Sequence, residues 1–562
     1  MSKSNFFITQ SREEIDFFLN SKYFSKKIFI VPIELEALIY CDISKLNYIN
    51  PKVLISKSFQ HKTIIQSEKY FLKKINKNFT SESIDKEINQ YFRFRYNAIS
   101  FLYDLICNLK KRYKLKKIYL SGDNIFYNAR DKRNRFLCSI IQGLFPGIKL
   151  VKLRSINISK KNDVNSYAIN TKIKSEYILF TNLGYNFKRI IKYIFLNKKI
   201  AVISNKSNKV IYENLSKLSL IKSKLLNLVG IKSIELNKIG IILKIKKIKK
   251  VKAFIGKKNI TKVLNLELNL IEPYYNDIFE KYKCLKLFFK KSKPKFTISN
   301  VAVGFMGAVL DAAKENKSKI INIPHGTLAP YYNKYDKIFK KIISEAVFYE
   351  KSDYFVCQTK IAKDFLKSRK FNGKKIEGNI ILGSQKNNNN TGNQILYAVT
   401  NKSFHNQQLI GFENFYEYYE NLNFFNKDKY FRNFNFKVQL HPSIYHLKNL
   451  LEKKFTNLIF EISNLEKNLS ESSLVISFSS TVIEDALISN LPVILFDRHN
   501  RYRHFKSKND KKLDILNYVV KKKDLKSIIN KIKYSNPNNF YDINYDNSIK
   551  KNVSSLIDII ES

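Results

Sequence analysis

Residues 297–327 read TISNVAVGFMGAVLDAAKENKSKIINIPHGT, and their apolar pattern gives the clearest indication of the fold class. The apolar run 297–303 predicts a strand, 304–316 a helix and 319–323 a second strand. A short Pro-His-Gly-Thr loop follows the second strand. Strands that alternate with amphipathic helices in this way pair in parallel. The stretch therefore predicts an α/β fold.

The same alternation extends in both directions along the chain. Further predicted strands are short apolar runs bounded by polar or turn residues, at 27–32, 117–120, 177–181, 200–204, 354–358, 375–382, 394–400, 436–440, 474–478 and 492–496. A helix that Gly373 ends is predicted at 359–371. We expect an α/β protein with two Rossmann-like domains that face a central cleft. In such sheets ligands bind beyond the carboxyl ends of the strands.

The length of 562 residues indicates more than one domain, since single cores stop growing at roughly 250–300 residues. The polar run SQKNNNNTGN at 384–393 is typical of a linker. We predict an N-terminal α/β domain at 1–383 with a basic insertion near 205–295. A C-terminal α/β domain is predicted at 394–540, and an amphipathic helix at 541–562.

The chain is strongly basic, with 101 Lys and Arg against 47 Asp and Glu and a formal charge of +54. Such a surface attracts anionic lipid, nucleic acid or acidic glycans. The run LKIKKIKKVKAF at 243–254 alternates apolar residues with lysines and predicts an edge strand or hairpin with one basic face. Its lysines are Lys244, Lys246, Lys247, Lys249, Lys250 and Lys252. They can contact anionic lipid or an acidic glycan, or simply keep an edge strand from aggregating.

Composition excludes several classes of protein. A content of 44% hydrophobic and 14% aromatic residues rules out wholesale disorder. The five cysteines form no CxxC pair, which argues against a disulfide framework and a cysteine zinc site. The longest apolar-rich uncharged run, 296–310, is shorter than the about 20 residues that span a bilayer. The first residues lack the apolar stretch of a secretory signal, so we expect a cytoplasmic protein, either soluble or peripheral at the inner face of the membrane.

His441 and Pro442 directly follow the predicted strand 436–440. An imidazole at this position lies at the mouth of the sheet and can donate a hydrogen bond to a phosphate or nucleotide oxygen. A loop histidine before a proline-initiated helix explains the same dipeptide without a ligand. Both interpretations stay open on these residues alone.

A hydroxyl-rich turn, Ser479-Ser480-Thr481, follows the predicted strand 474–478 and opens a helix. Free backbone N–H groups, the helix dipole and three hydroxyls can bind an anion there. Thr481 and Glu484 also match a capping box, which needs no ligand. The two interpretations are compatible if the serines face a phosphate while Thr481 and Glu484 cap the helix.

Two further strand ends carry candidate bases. His325 follows the strand 319–323, and Gly326 beside it lets the backbone come close to a ligand. A histidine there can act as a general base, or it can be an ordinary turn residue. Asp123 follows the strand 117–120, where it can serve as a base, bind an acceptor hydroxyl or cap the next helix.

Arg498, Arg501 and Arg503 follow the strand 492–496. They can hold phosphates or an anionic acceptor, or form a solvated basic loop. The chain has no GxxxxGK[ST], HExxH or GxSxG motif, and no GxGxxG fingerprint follows the strand 319–323. These absences argue against a P-loop NTPase, a zincin protease, an α/β-hydrolase and a dehydrogenase.

The order of the motifs resembles that of a known enzyme family. His-Gly-Thr at 325–327 comes first, His-Pro at 441–442 next, then Ser-Ser-Thr at 479–481 and the Pro-Val-Ile strand at 492–494. Over residues 297–510 this order is similar to the GT-B fold glycosyltransferases of bacterial capsule and lipopolysaccharide synthesis. Two branches look similar: transferases that use CMP-sugars, and the CDP-glycerol and CDP-ribitol phosphotransferases of teichoic acid assembly.

The resemblance implies a metal-independent transferase that moves a sugar from a cytidine or uridine nucleotide to a growing polysaccharide or lipid-linked acceptor. It implies that His325 or Asp123 deprotonates the acceptor hydroxyl. It implies that the donor is held by His441, Pro442, Ser479, Ser480, Thr481 and Glu484, with Glu484 at the ribose. No metal and no cofactor beyond the donor are expected, and no nucleic acid partner.

Two rival functions remain open. A sugar-nucleotide 2-epimerase shares the two-domain fold, but it needs a richer set of cleft carboxylates and releases free sugar. A non-catalytic basic protein that binds nucleic acid or membranes would show salt-sensitive binding to any polyanion and would not depend on His441. Against nucleic acid, the chain lacks aromatic and basic residues at the spacing of RNA-binding motifs.

Overall fold

The computed structural model describes residues 4–54, 57–71, 77–121, 137–153, 163–171, 173, 177–181, 200–204, 231–266, 268–324, 328–331, 334–380, 393–399, 411–462, 465–478, 480–498, 516–534 and 549–561. The strands are β1 Ser4–Thr9, β2 Ile28–Pro32, β3 Leu115–Leu120, β4 Lys149–Lys152, β5 Val164–Ala168, β6 Ile178–Phe180, β7 Ile200–Ser204, β8 Ile231–Glu235, β9 Asn237–Ile242, β10 Phe254–Ile255, β11 Lys258–Asn259, β12 Phe296–Ser299, β13 Lys319–Asn322, β14 Tyr354–Cys357, β15 Lys374–Glu377, β16 Gln394–Ala398, β17 Asn435–Gln439, β18 Ile459–Glu461, β19 Leu474–Ser477, β20 Val493–Phe496 and β21 Leu516–Val519.

The α-helices are α1 Arg12–Leu19, α2 Leu35–Ile43, α3 Lys57–Phe71, α4 Glu82–Tyr113, α5 Leu137–Leu144, α6 Thr261–Leu264, α7 Leu268–Lys291, α8 Gly304–Glu315, α9 Lys334–Glu345, α10 Lys360–Ser368, α11 Gly411–Lys427, α12 Lys448–Lys454, α13 Leu465–Glu471, α14 Val482–Ile488, α15 Lys522–Tyr534 and α16 Ile549–Glu561. Short 3₁₀ helices lie at Pro51–Val53, Lys429–Asn433 and Pro442–Leu447. None of the described helices is both long and apolar enough to cross a bilayer.

The C-terminal sheet is parallel throughout, in the order β18-β17-β16-β19-β20-β21. Counted along the chain from β16, this order is 3-2-1-4-5-6, the arrangement of doubly wound dinucleotide-binding sheets. The winding direction reverses between β16 and β19. This reversal opens a crevice at their carboxyl ends, where ligands bind in such folds.

The central sheet repeats this arrangement in the order β15-β14-β13-β12-β6-β7-β8, again with parallel strands. If the strands of this sheet are numbered along the chain from β6, the winding direction reverses between the first and the fourth strand, β6 and β12. Strands such as β12 and β14 are buried at every position, as expected where helices cover both faces of a parallel sheet. The predicted α/β class with Rossmann-like sheets is confirmed.

A third parallel sheet, in the order β2-β1-β3-β4, lies near the amino terminus. The described part of the range 1–383, predicted as one α/β domain, therefore contains two separate parallel sheets, besides the two-stranded pairs β5–β9 and β10–β11. The alternation of strands and helices cannot show this, because a strand–helix unit has the same pattern whichever sheet it joins. The long helix α4 contacts α8 beside the central sheet as well as β3 of the first sheet.

Two buried polar contacts join these parts of the N-terminal half. Asp311 on α8 accepts hydrogen bonds from Ser81 Oγ at 2.6 Å, from the Ser83 amide at 3.0 Å and from the Tyr349 hydroxyl at 2.8 Å. Arg93 on α4, only 1% exposed, donates to Glu345 across 3.3 Å. Burial lowers the pKa of the Arg93 guanidinium, although Glu345 opposes this shift.

The first sheet also contacts the C-terminal sheet's helices. The Tyr419 hydroxyl donates to Asp42 at 2.6 Å, and Lys454 forms an ion pair with the same carboxylate. Lys52 lies 2.6 Å from Glu420 on α11. These contacts hold α2 and the 3₁₀ helix Pro51–Val53 against α11 and α12.

The lysine-rich run 243–254 was predicted to be an edge strand or hairpin, and this prediction is wrong for residues 243–253. Two antiparallel pairs adjoin the run: β5 with β9, which ends at Ile242, and β10 with β11, which begins at Phe254. Side chains bind the backbone of the run instead. Asn276 of α7 binds both the N–H and the C=O of Lys246 at 2.8 Å, and Asn265 does the same for Val251 at 2.9 and 2.8 Å.

The predicted linker 384–393 lies outside the described residues except for Asn393. The predicted C-terminal helix is present as α16, Ile549–Glu561. Its Asn552 donates to the Asn379 carbonyl at 2.9 Å, so the end of the chain packs beside β15 of the central sheet. The domain boundaries given above stay a prediction.

Candidate functional site

The crevice of the C-terminal sheet lies between the carboxyl ends of β16 and β19. Ser477 is the last residue of β19, and its hydroxyl donates to the Ala398 carbonyl of β16 at 2.5 Å. This bond fixes the two strand ends beside each other. The turn that follows β19 therefore emerges at the position where a ligand of this fold binds.

Ser480 and Thr481 lie in that turn and are partly exposed. The Ser480 hydroxyl accepts the backbone N–H of Val482 at 3.3 Å, whereas the Thr481 side chain makes no capping hydrogen bond. Thr481 already has helical backbone angles, φ −62° and ψ −15°. The predicted Thr481–Glu484 capping box is therefore wrong, because Thr481 occupies the N-cap position with helical backbone angles and its side chain accepts no backbone N–H. Ser479 lies outside the described residues.

Glu484 is buried in the first turn of α14. Its neighbours Val482, Ile483, Ala486 and Leu487 belong to an apolar cluster that includes β16, β19 and β20 side chains. The helix start is thus anchored by packing. Its predicted contact with a ribose stays a prediction.

His441 follows β17, the other neighbour of β16 in this sheet. It caps the 3₁₀ helix Pro442–Leu447, and its Nδ1 accepts the backbone N–H of Ser443 at 3.2 Å. The Ser443 hydroxyl lies 2.7 Å from the same nitrogen. An Nδ1 that accepts from an amide leaves the ring proton of a neutral imidazole on Nε2. That N–H can donate to an anionic oxygen. Pro442 is exposed and continues the turn.

The structure thus brings His441 and the Ser480–Thr481 turn to one edge of one sheet. Their strands, β17 and β19, flank β16, and adjacent strands lie about 4.8 Å apart. The two strand ends are therefore separated by roughly 10 Å. A phosphate-bearing ligand placed over β16 can receive hydrogen bonds from both sides.

Arg498, which follows β20, is held by α11. Its backbone N–H donates to Glu417 at 3.0 Å and its guanidinium to Glu420 at 2.8 Å. Burial alone would raise the pKa of Glu420, but the ion pairs with Lys52 and Arg498 outweigh it and hold that pKa below its usual value. The structure therefore gives Arg498 a carboxylate partner, and its phosphate role stays a prediction. Arg501 and Arg503 lie outside the described residues.

On the central sheet, His325 and its Gly326 neighbour lie outside the described residues, but the start of their loop is described. Gln358 donates to the Pro324 carbonyl at 2.5 Å, which fixes the chain as it leaves β13. At the reversal point of this sheet, Thr181 donates to Ser299 at 2.8 Å. Thr181 and Ser299 were not among the predicted site residues. In the sequence, the signal that could have identified them is a hydroxyl residue in each of two apolar runs, 177–181 and 297–303.

On the first sheet, Asp123 lies outside the described residues, and the preceding Ser121 reveals a group that the sequence analysis missed. Ser121 donates to the carboxyl of Glu14 at 2.5 Å, and Thr9 and the Gln10 amide donate to it at 2.9 and 2.7 Å. Burial raises the pKa of Glu14 to about 7, although these three hydrogen bonds oppose the shift. A buried carboxyl thus lies between the carboxyl ends of β1 and β3.

Among the described residues, no group of three or more His, Cys, Asp or Glu side chains is arranged to hold a metal ion. The described cysteines are all free thiols: Cys41, Cys107, Cys138, Cys284 and Cys357.

Comparison with known proteins gives matches among solved structures only, since no family model and no curated protein matches the sequence. The lipopolysaccharide outer core galactosyltransferase WaaB is 10% identical over 69% of this chain and 100% of its own, with a TM-score of 0.35. The UDP-GlcNAc 2-epimerase of Methanocaldococcus jannaschii, in complex with UDP-GlcNAc and UDP, is 13% identical over 69% and 99%, with a TM-score of 0.41. The wall teichoic acid polymerase TagF is 14% identical over 68% and 87%, with a TM-score of 0.35. The fold assignment rests on the strand orders described above.

Proposed function

We propose that this protein is a GT-B type glycosyltransferase that transfers a sugar from a cytidine or uridine nucleotide to a surface polysaccharide or lipid-linked acceptor. One observation carries the proposal. His441 and the Ser480–Thr481 turn lie at the carboxyl edge of the same doubly wound sheet, on either side of β16. That edge is where nucleotides bind in this fold, and both groups can donate hydrogen bonds to phosphate.

In the proposed reaction, the acceptor hydroxyl loses its proton to His325 or Asp123 as its oxygen attacks the anomeric carbon. The bond from that carbon to the nucleotide phosphate breaks, and the phosphate leaves with the bonding electrons. His441, through Nε2–H, and the hydroxyls of Ser480 and Thr481 stabilise the negative charge on the leaving phosphate. Preorganised donors of this kind supply the largest share of many rate enhancements.

The proposal includes metal independence, because hydrogen-bond donors on both sides of β16 would stabilise the charge of the leaving phosphate in place of a cation. It also includes a site of action at the cytoplasmic face of a membrane, where a lipid-linked acceptor would be reached. Transferase activity that is unchanged in the presence of EDTA would support metal independence. A strict requirement for Mg²⁺ or Mn²⁺ would contradict it.

Nucleotide binding tests the proposal at its best-supported site. Calorimetry with CMP, CDP, UDP and GDP would be run on the wild-type protein, on His441→Ala and on His446→Ala. His446 is an exposed histidine in the same 3₁₀ helix, so its removal is a matched control. We expect selective binding of one pyrimidine nucleotide, weakened by about 10- to 100-fold in His441→Ala, as for loss of a hydrogen bond to a charged group.

Two outcomes would contradict the proposal: no nucleotide binding above a salt-sensitive background, or equal binding by His441→Ala and the wild-type protein.

Once a nucleotide is identified, analysis of the reaction product distinguishes the three related reactions. A glycosyltransferase extends an acceptor with a sugar, a CDP-alditol phosphotransferase extends it with an alditol phosphate, and a 2-epimerase releases free sugar without an acceptor.

A further inference from the structure

Strand β9 and the residue after it expose three large aliphatic side chains. Ile239 is 66% exposed, Ile241 60% and Leu243 95%. Ile239, Ile241 and Leu243 lie within five consecutive residues and form one exposed apolar ridge along the chain, although the pairing of β9 with β5 is irregular at Ile239. Isolated exposed aliphatic residues are ordinary, but a contiguous row indicates an interaction surface.

The lysine-rich run 243–254 begins with Leu243, the last residue of this ridge. All six of its lysines are exposed: Lys244, Lys246, Lys247, Lys249, Lys250 and Lys252. One of them, Lys247, lies 3.0 Å from the buried carboxylate of Glu272 on α7. We call these lysines, together with Ile239, Ile241 and Leu243, the basic–apolar surface.

The scaffold beneath this surface is specific. Glu272 accepts the Ile248 amide at 3.0 Å, and Asn78 accepts the Lys249 amide at 2.9 Å, in addition to the contacts of Asn276 and Asn265. Ile248 and Val251 point inward and are buried, which turns the lysines outward. Because side chains bind these backbone amides, the run does not pair as a strand. Protection of a strand edge therefore does not explain its lysines.

We infer that the basic–apolar surface docks the protein onto an anionic lipid bilayer. The lysines match the negative headgroups, and the aliphatic row enters the boundary between headgroups and acyl chains. A nucleic acid or an acidic glycan would use the positive charges but would gain nothing from Leu243. The core of a protein interface excludes lysines, so a protein partner does not match this mixture of residues.

Vesicle binding tests this inference without any nucleotide, so its outcome is independent of the proposed donor site. The full chain would be sedimented with vesicles of phosphatidylcholine alone and with vesicles containing 30% phosphatidylglycerol, a mixture chosen to give about the surface charge of a bacterial-type anionic membrane. One variant replaces Ile239, Ile241 and Leu243 with serine. A second replaces Lys244, Lys249 and Lys250 with glutamine, which leaves the Lys247–Glu272 ion pair intact.

A third variant is the charge-matched control, with glutamine at three exposed lysines near the first sheet: Lys26 and Lys27, which precede β2, and Lys116 on β3. Each near-surface lysine contributes about fivefold to the binding of an anionic bilayer, so we expect the second variant to bind about 100-fold more weakly. The serine variant should bind the anionic vesicles at least about tenfold more weakly, because it buries less apolar surface in the bilayer. The control should stay within about threefold of the wild-type protein, because long-range attraction is screened at physiological salt.

The inference is overturned if the wild-type protein does not bind the anionic vesicles, or if the control loses as much affinity as the second variant. It is also overturned if the serine variant binds like the wild-type protein while heparin competes fully with the vesicles. That result would assign the surface to a soluble polyanion. Circular dichroism and unchanged nucleotide binding by the variants would show that each remains folded.

Discussion

The buried carboxyl of Glu14 gives a prediction about stability and pH. The replacement Glu14→Gln preserves the shape of the side chain and its hydrogen bonds. The amide oxygen can accept from Thr9 and from the Gln10 N–H, and the amide NH₂ can donate to the Ser121 hydroxyl, which rotates to accept. Unlike glutamate, glutamine does not ionise. The comparison therefore isolates the effect of ionising a carboxyl at this position.

The pKa of Glu14 rises from an ordinary value of 4.5 to about 7 in the folded protein. Below pH 4.5 both the folded and the unfolded carboxyl are protonated. As the pH rises toward 7 the unfolded chain ionises first, so the folded state loses stability relative to it, and the loss is complete above pH 7. The shift corresponds to about 3 kcal/mol. Glu14→Gln should remove this loss.

Hydrogen exchange of the peptides that contain β1 and β3, corrected for intrinsic exchange rates, would measure the free energy of opening the first sheet from pH 4.5 to 8. Relative to Glu14→Gln, the wild-type protein should become less stable by about 3 kcal/mol over this range. Glu13→Gln, a change at an exposed neighbour, is the control and should leave the wild-type slope unaltered. Parallel pH profiles for the wild-type protein and Glu14→Gln would contradict a raised pKa of Glu14 in the folded protein.

Three further changes test the buried contacts. Glu345→Ala leaves Arg93 buried without its carboxylate and should cost about 3 kcal/mol in urea unfolding, so an unchanged midpoint would contradict a buried ion pair. Asp311→Ala leaves three donors without their acceptor and should cost about 3 kcal/mol, whereas a loss below about 0.5 kcal/mol would mean that solvent replaces them. Asn276→Ala should speed amide exchange in the run 243–253 about tenfold and not elsewhere, and uniform exchange would show that the run is held by other groups.

Much of the fold could be predicted because apolar periodicity reports local structure directly. Runs such as 297–303 and 474–478 became strands with ends moved by a few residues, since strand ends depend on hydrogen bonds that no local pattern encodes. The lysine-rich run was misread for the same reason. Its alternation matches a strand, but the residues that bind its backbone, Asn265 and Asn276, come later in the chain.

Only some residues of the candidate site could likewise be predicted from the sequence. Strand-end residues such as His441 and Ser480 could be found, because a parallel sheet places every strand end at one edge. Glu14 could not be found, since its partner Ser121 is brought close only by the pairing of β1 with β3. Helix α14 starts directly after Thr481 as predicted, but the capping hydrogen bond of Thr481 is absent, because a capping motif fixes the residue types and not the backbone angles.

The positions of the proposed donor site and of the basic–apolar surface have a consequence for how the enzyme would work. The donor site is at the edge of the C-terminal sheet, whereas β9 follows β8 of the central sheet and its lysine run is bound by α7, which leads into β12. A bilayer docked on this surface would therefore approach the half of the protein that carries the His325 loop. A lipid-linked acceptor would enter from the membrane side while the soluble nucleotide enters from the other half. The acceptor hydroxyl and the nucleotide phosphate would then lie on opposite sides of the anomeric carbon and be held by different elements of the fold. Attack from one side and departure on the other require this arrangement.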